Sequence, residues 1–303
     1  DEAYDKAQPG RGKDPHTDWI NLYTTENPNI DQAEVAIRAA QMSESERAVR
    51  IYGQPIRFSN RIHPLFTDQT QSWCFKCGAV VITQSYKCLT CGSDAVEFTH
   101  VEPVLANPSF PVIRVLDPHP RKPHMLAYWQ IDPNDDLACI HEIVLADDPT
   151  AVRLACEDYE RHHALFVALS IMDPNMGRQP TGTNREITWQ DEFQKAGLTF
   201  DLAMDSDVGH GRINEYLRPA AATLRPRLRW HPSCTTSVLQ FKRYVWDDYR
   251  RQDERDQKQK PKEKHDDFPT MLKYVLNTEP TFATLKVGGR GVHPPGEPKG
   301  GDW

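Results

Sequence analysis

The stretch that most constrains this fold is an apolar run that stops at a carboxylate. Val112, Ile113, Val115 and Leu116 are interrupted only by Arg114 and end at Asp117-Pro118. Residues of this kind suit a strand buried on at least one face and placed near a sheet centre. Pro118 and Pro120 donate no ladder hydrogen bonds, so pairing loosens here and leaves the Asp117 carboxylate at a strand end. Alone, Asp-Pro reads as a turn signal. The pattern recurs, however: Ala164 to Met172 is an almost continuous apolar run with the length of a buried parallel strand, and it ends at Asp173-Pro174.

Around these two runs the pattern alternates between strands and helices. Met125 to Gln130 and Leu137 to Leu145 read as strands joined by an Asp132–Asp135 turn, giving three successive antiparallel strands. Pro149 to His163 fits a helix capped by Asp147 or Asp148. Further on, Trp189 to Ala196 reads as a helix, Leu198 to Met204 as a strand, Gly209 to Ala222 as a helix and Leu228 to Trp230 as a short strand. Ser233 to Tyr249 reads as a helix with Val238, Phe241, Val245 and Trp246 on its apolar side, followed by a solvated charged run. Lys264 to Asp267 opens a terminal helix through Phe268, Met271, Leu272, Tyr274, Val275 and Leu276, with Pro269 tolerated in its first turn. The Gly- and Pro-rich tail from Val287 is expected to be disordered. Upstream, Trp19 to Tyr23 is a strand candidate, Asp31 to Gly53 reads as two short helices, and the residues around Ser59-Asn60 read as a hairpin.

Four of the seven cysteines, Cys74, Cys77, Cys88 and Cys91, spell C-x2-C-x10-C-x2-C, with Gly78 and Gly92 following the two pairs. Two residues between cysteines let both thiolates of a pair reach one tetrahedral zinc, and the glycines permit the tight turn. With strand-like Val80 to Tyr86 between the pairs, residues 70–100 read as a zinc ribbon, a structural site in a reducing compartment. Cys139, Cys156 and Cys234 each sit beside apolar residues and read as buried.

The net charge of −7 argues against a protein that coats nucleic acid by bulk charge. No run of 18 apolar residues is present, so no membrane span is expected. Gly12-Lys13 is followed by Asp14, and Ala7 stands where the first glycine of a P-loop belongs, so no ATPase motif is read.

Asp117 and Asp173 at strand ends, with Asp266 or Asp267 at the start of the last helix, form a set of carboxylates able to converge at one sheet edge. Mg2+ and Mn2+ take oxygen ligands, and two such ions about 4 Å apart suit phosphodiester hydrolysis. His119, Arg121, Lys122 and His124 lie beside Asp117 as candidates for phosphate contact, with Arg212 as a further DNA-facing candidate and Arg225, Arg227 and Arg229 as a basic patch. Glu142, at a strand end, reads as solvated rather than as an accessory acid. Asp205 and Asp207 read as caps of the following helix, and His162-His163 diverge on a helix and do not read as ligands.

The elements DPHPRKPH after a strand, a strand ending in MDP, GRINEYLRP and KHDDFPTMLKYVL, with TTENPNID and SERAVRIYGQP upstream, resemble the large terminase subunit of tailed bacteriophages. The resemblance covers most of residues 20 to 280 and leaves the zinc ribbon outside the common pattern. It implies an α/β, RNase H-like mixed sheet flanked by helices, preceded by a linker at 1–69 that follows an absent ATPase domain. The ribbon occupies 70–100, the nuclease domain 101–286 and the tail 287–303. It implies a metal-dependent endonuclease that cuts concatemeric double-stranded viral DNA in the host cytoplasm, with the portal protein and small terminase subunit as partners. Asp117 and Asp173 match two metal-binding acids of the family. Where many relatives read Asp-His-x-x-Asp-x-x-Arg-Tyr, this chain has Asp266, Asp267 in place of His, Thr270 in place of the second Asp, and Lys273-Tyr274, which leaves the third ligand divided between Asp266 and Asp267. The other readings are a junction resolvase on the same fold and a non-catalytic DNA-docking module built on the ribbon.

Overall fold

The computed structural model describes residues 29–41, 61–81, 87–88, 91–181, 186–206, 208–246 and 260–287. The chain divides into two compact units, residues 1–64 and 65–303. In the first, helix α1 (Gln32–Gln41), the first of the two helices expected from Asp31 on, begins where the Asp31 carboxylate accepts the Ala33 N–H at 2.9 Å. The strand at 19–23, the second helix before Gly53 and the hairpin around Ser59-Asn60 lie wholly or mainly outside the described residues.

The second unit opens with three short strands, β1 (Gln71–Trp73), β2 (Val80–Val81) and β3 (Val96–Phe98), paired antiparallel in the order β2-β1-β3. A larger sheet follows, built from β4 (Pro111–Asp117), β5 (His124–Ile131), β6 (Leu137–Leu145), β7 (Phe166–Met172), β8 (Asp201–Leu202) and β9 (Leu228–Trp230). Its order is β8-β7-β4-β5-β6-β9. The β4, β5 and β6 strands form the expected antiparallel meander, and β7 returns parallel to β4. The intervening helices are α2 (Pro149–His162), α3 (Pro174–Gly177), α4 (Trp189–Lys195), α5 (Val208–Tyr216), α6 (Thr235–Arg243), α7 (Asp267–Asn277) and α8 (Phe282–Val287).

Strand periodicity divides the core in two. Ile113, Val115, Ala127, Trp129 and Ile131 face a cluster containing Ile213 of α5, Phe241 of α6 and most of α7. Val112, Leu116, Leu126 and Tyr128 face Val152 and Cys156 of α2 and Phe193 of α4. Helices therefore cover both faces of a mixed sheet, and β4 is wholly buried near its centre. Arg114, the one charge within the apolar run of β4, is accommodated by Glu160 at 2.7 Å and Ser170 at 3.1 Å, while Tyr128 donates to the same Glu160 at 2.8 Å. Cys139, Cys156 and Cys234 are buried as expected.

Several elements are shorter than the pattern predicts, each for a local reason. The β7 strand is parallel as expected but deeply buried only at Ile171-Met172, because β8 pairs with it over those two residues alone. Leu198 and Phe200 fill the core from a loop, so their apolar spacing mimics a longer strand. The α5 helix stops at Tyr216, ahead of Pro219. The α6 helix ends at Arg243, where Tyr244 turns extended and Val245 instead accepts the Lys262 N–H at 3.0 Å. The short helices α3 and α8 have no counterpart in the sequence pattern.

His100 ties the segment before β1 to the end of α5. Its Nδ1 accepts the Thr67 N–H at 3.1 Å and its Nε2 donates to the Leu217 carbonyl at 2.9 Å, so the ring is neutral and satisfied at both nitrogens. Burial pushes its pKa down from 6.5 to about 4. A histidine depressed on folding stabilises the neutral-pH fold, and that contribution is lost as pH falls from 6.5 through 4. The expected loss is about 3 kcal/mol. Denaturant titrations at about pH 7.5 and pH 4 should show His100→Gln with the shallower decline, since glutamine bonds without titrating; equal declines in the two proteins would contradict this account.

Candidate metal centre

Asp117 is the last residue of β4, paired across the meander with Met125. The parallel neighbour β7 ends beside it, and the Asp173 N–H donates to the Leu116 carbonyl at 2.9 Å. Two carboxylates far apart in sequence are thereby held at the same edge of the sheet. Asp173 is fixed further: its Oδ1 accepts the N–H groups of Asn175 and Met176, both at 2.7 Å, and its Oδ2 accepts the Tyr274 hydroxyl at 2.6 Å.

The third carboxylate comes from α7. Asp267 Oδ1 lies 3.0 Å from His119 Nε2, which also stands 3.3 Å from Asp117 Oδ2, and Lys122 approaches the same Oδ1 at 3.8 Å. Asp267 Oδ2 accepts the side-chain amide of Gln240 at 2.7 Å. Carboxylate or ring atoms of Asp117, His119 and Asp267 all fall within 4.8 Å of one another, a spacing able to hold a metal ion. Asp266 occupies the cap position of α7 without capping it. Asp117, His119, Lys122, Asp173, Asn175, Glu263, Asp266, Asp267 and Thr270 line a single open cleft of about 290 Å³.

The electrostatics mark this cleft as short of positive charge. Burial pushes the Asp117 carboxyl up to about 6, against the pull of the His119 hydrogen bond, with Asp173 and Asp267 adding to the rise. Bonds to Asp117 and then Asp267 raise His119 to about 9, so its ring carries a proton. Burial opposes ionisation of Asp267, but the His119 bond, the Lys122 charge and the Gln240 bond together hold it below the ordinary carboxylate range. Burial, then the Asp267 charge, raise Asp266. Asp117 Oδ1 is buried with no hydrogen-bond partner. A buried, unpartnered carboxylate oxygen among three other acids suits a hard cation. A larger cleft of about 400 Å³ lies at the other end of β5, where Arg229 of the lining pairs with Asp132 at 3.3 Å and with Glu102 at 3.2 Å.

The remaining sequence candidates are placed differently. His119 sits between two carboxylates instead of standing free for phosphate, and Arg121 is exposed on the same turn outside the cleft lining. Arg212 donates to the Leu276 carbonyl and to Glu279 at the far end of α7. Glu142 is not solvated: its two oxygens accept the Thr236 and Ser237 N–H groups and cap α6. Asp205 pairs with Lys273 at 2.6 Å rather than capping α5, and Asp207 lies outside the described residues. Arg227, like Arg229, is engaged by a carboxylate, Asp136 at 3.2 Å, so only Arg225 of the expected patch is exposed. Sequence reading missed Gln240, a polar residue in an amphipathic helix with no motif around it.

The second cluster is made of cysteine. Cys74 and Cys91 sulfurs lie 3.6 Å apart, Cys77 and Cys88 sulfurs 3.4 Å apart, and all four lie within 4.8 Å of one another. Four thiolates about 2.3 Å from one zinc stand about 3.8 Å apart at tetrahedral geometry, so the set fits. The two halves repeat one turn: Gly78 and Gly92 have φ of 69° and 68°, and their N–H groups each donate to the first cysteine carbonyl at 2.8 Å.

The described residues thus define a mixed α/β protein with a carboxylate cleft at one edge of its sheet and a separate four-cysteine cluster. Among solved structures the chain is similar to the large terminase of a thermophilic bacteriophage, at 12% identity and TM-score 0.46 over 84% of this chain and 53% of that one. It is also similar to the P22 large terminase nuclease domain, at 15% and 0.43 over 59% and 86%. The large terminase nuclease of the thermophilic phage G20c, solved with bound cobalt, is similar at 10% and 0.36 over 56% and 82%. The chain spans 42 to 54% of the longer thermophilic-phage terminase chains it matches. No protein-family model and no curated protein matches it.

Proposed function

We propose that this chain is the nuclease portion of a DNA-packaging large terminase, a metal-dependent endodeoxyribonuclease on an RNase H-like fold. The observation that carries the reading is the cleft in which Asp117, Asp173 and Asp267 converge from three separate elements around a buried, unpartnered carboxylate oxygen. An antiparallel meander followed by a strand parallel to its first member supports the fold assignment. Asp117, Asp173 and Asp267 would hold Mg2+ or Mn2+, with Asp266 beside them. Such ions, when bound, make water a nucleophile at neutral pH and neutralise charge on the leaving oxygen. The chain's own groups do the rest: Tyr274 and two backbone N–H groups orient Asp173, while Lys122 stands at the cleft mouth as a phosphate contact. Concatemeric double-stranded DNA as substrate, and the portal and small terminase subunit as partners, follow from the sequence resemblance. So do the linker at 1–69, the nuclease domain at 101–286 and action in the host cytoplasm. The four-cysteine cluster is assigned to structural zinc in a ribbon at 70–100, closed to catalysis because four thiolates complete a tetrahedron.

Incubation of the protein with plasmid DNA tests this directly. Mn2+ should produce nicked and linear products, and EDTA should stop their formation. A folded protein that leaves the plasmid intact in Mn2+ would remove the nuclease assignment.

A further inference from the structure

Gln240 lies on α6, is 5% exposed, and uses both ends of its amide on the first turn of α7. Its carbonyl oxygen accepts the Phe268 N–H at 2.8 Å. Its amide nitrogen donates to Asp267 Oδ2 at 2.7 Å. The two bonds run to adjacent residues, so they fix the Asp267 side chain relative to its own backbone. With Oδ2 held from α6, Oδ1 is presented to the cleft, where it meets His119. The α6 helix is itself anchored to the sheet at its start, where Glu142 of β6 caps it.

We infer that Gln240 is a positioning residue that aims the Asp267 carboxylate at a divalent cation. This rests on the nuclease reading above and deepens it. Asp117 ends a strand and Asp173 is held by backbone, whereas Asp267 belongs to a separate helix and has no backbone donor of its own among the described residues. An amide suits this role because it donates to one residue and accepts from the next while adding no charge to a cleft already crowded with carboxylates. Outer-shell partners of this kind typically govern about 10- to 100-fold in metal affinity.

The test is Mn2+ binding, followed by the electron paramagnetic resonance signal of the free ion, in wild type, Gln240→Met and Gln240→Ser, with half-saturating Mn2+ for plasmid cleavage measured alongside. Methionine conserves volume and removes both bonds. Serine leaves room for water to satisfy Phe268 and Asp267, which keeps the variant folded if methionine does not. The expected result is about 10- to 100-fold weaker Mn2+ binding in a folded variant, with half-saturating metal rising in parallel and the KM for DNA unchanged. Wild-type Mn2+ binding retained in a folded variant would overturn the role of Gln240 while leaving the nuclease reading intact. Wild-type protein that binds no Mn2+ would overturn both.

Discussion

Asp117→Asn should lower Mn2+-dependent plasmid cleavage by about 1000-fold, on the basis that a metal contributes several kcal/mol of transition-state stabilisation and about 4 kcal/mol is that factor in rate. The substitution is isosteric and removes only the charge at a position where Oδ1 is buried without a partner. Its stability effect should have the opposite sign. The folded carboxyl is raised to about 6 from 3.8, so metal-free Asp117 favours the fold below pH 3.8 and loses that contribution as pH rises through 6. At about pH 8 the asparagine variant should therefore be at least as stable as wild type without metal, by up to about 3 kcal/mol. Asp173→Asn should also abolish cutting, but it should destabilise, because its carboxylate accepts two backbone N–H groups and the Tyr274 hydroxyl. Paired activity assays and thermal melts separate the two. Metal-dependent cleavage that persists in both variants would sink the site assignment.

Stripping metal from the cysteine cluster should loosen the chain around the four cysteines and leave the large sheet, with His100 anchored to it, standing. The hydrophobic cluster there consists of Cys74 and Cys88, with only Ala79 and Cys91 packed against them among the described residues. Strands of three, two and three residues supply little else. An isolated small sheet is marginal, and zinc binding contributes on the order of 10 kcal/mol in comparable sites. Metal analysis should find about one zinc per chain, the ratio expected for one four-thiolate site. A strong chelator, or Cys88→Ser, should then make the segment between Cys74 and Cys91 the first site of proteolysis. A zinc-free protein that still protects that segment would contradict the assignment.

The parts of this molecule legible in the sequence are those whose side chains obey one dominant constraint. The β4 strand reads cleanly because it is buried on both faces, and the C-x2-C pairs because a knuckle turn needs its glycine. The alignment of Asp117 with Asp173 is visible as a repeated strand-end Asp-Pro. That Asp266 and Asp267 both line the cleft, with Asp267 reaching His119, is not, since helix phase is decided by packing against neighbouring elements. Loops that carry core residues imitate regular structure: Phe200 is 2% exposed outside any strand, and Tyr244 is buried just past the end of its helix. The charges of Arg212, Arg227 and Glu142 read as surface groups, yet each is engaged by a partner on a distant segment that no local pattern encodes.

The bond from Asp173 to the Leu116 carbonyl means that the acids of the cleft are held by two different kinds of constraint. The separation of Asp117 and Asp173 is measured off by neighbouring parallel strands, which stand about 4.8 Å apart in any sheet. That gauge is indifferent to the length or content of the loops that join the strands. Asp267 rides on α7, which meets the sheet through side-chain packing and the Gln240 and Tyr274 bonds. A change in the loops between the strands therefore leaves Asp117 and Asp173 in register, whereas the place of Asp267 depends on the side chains that pack α7.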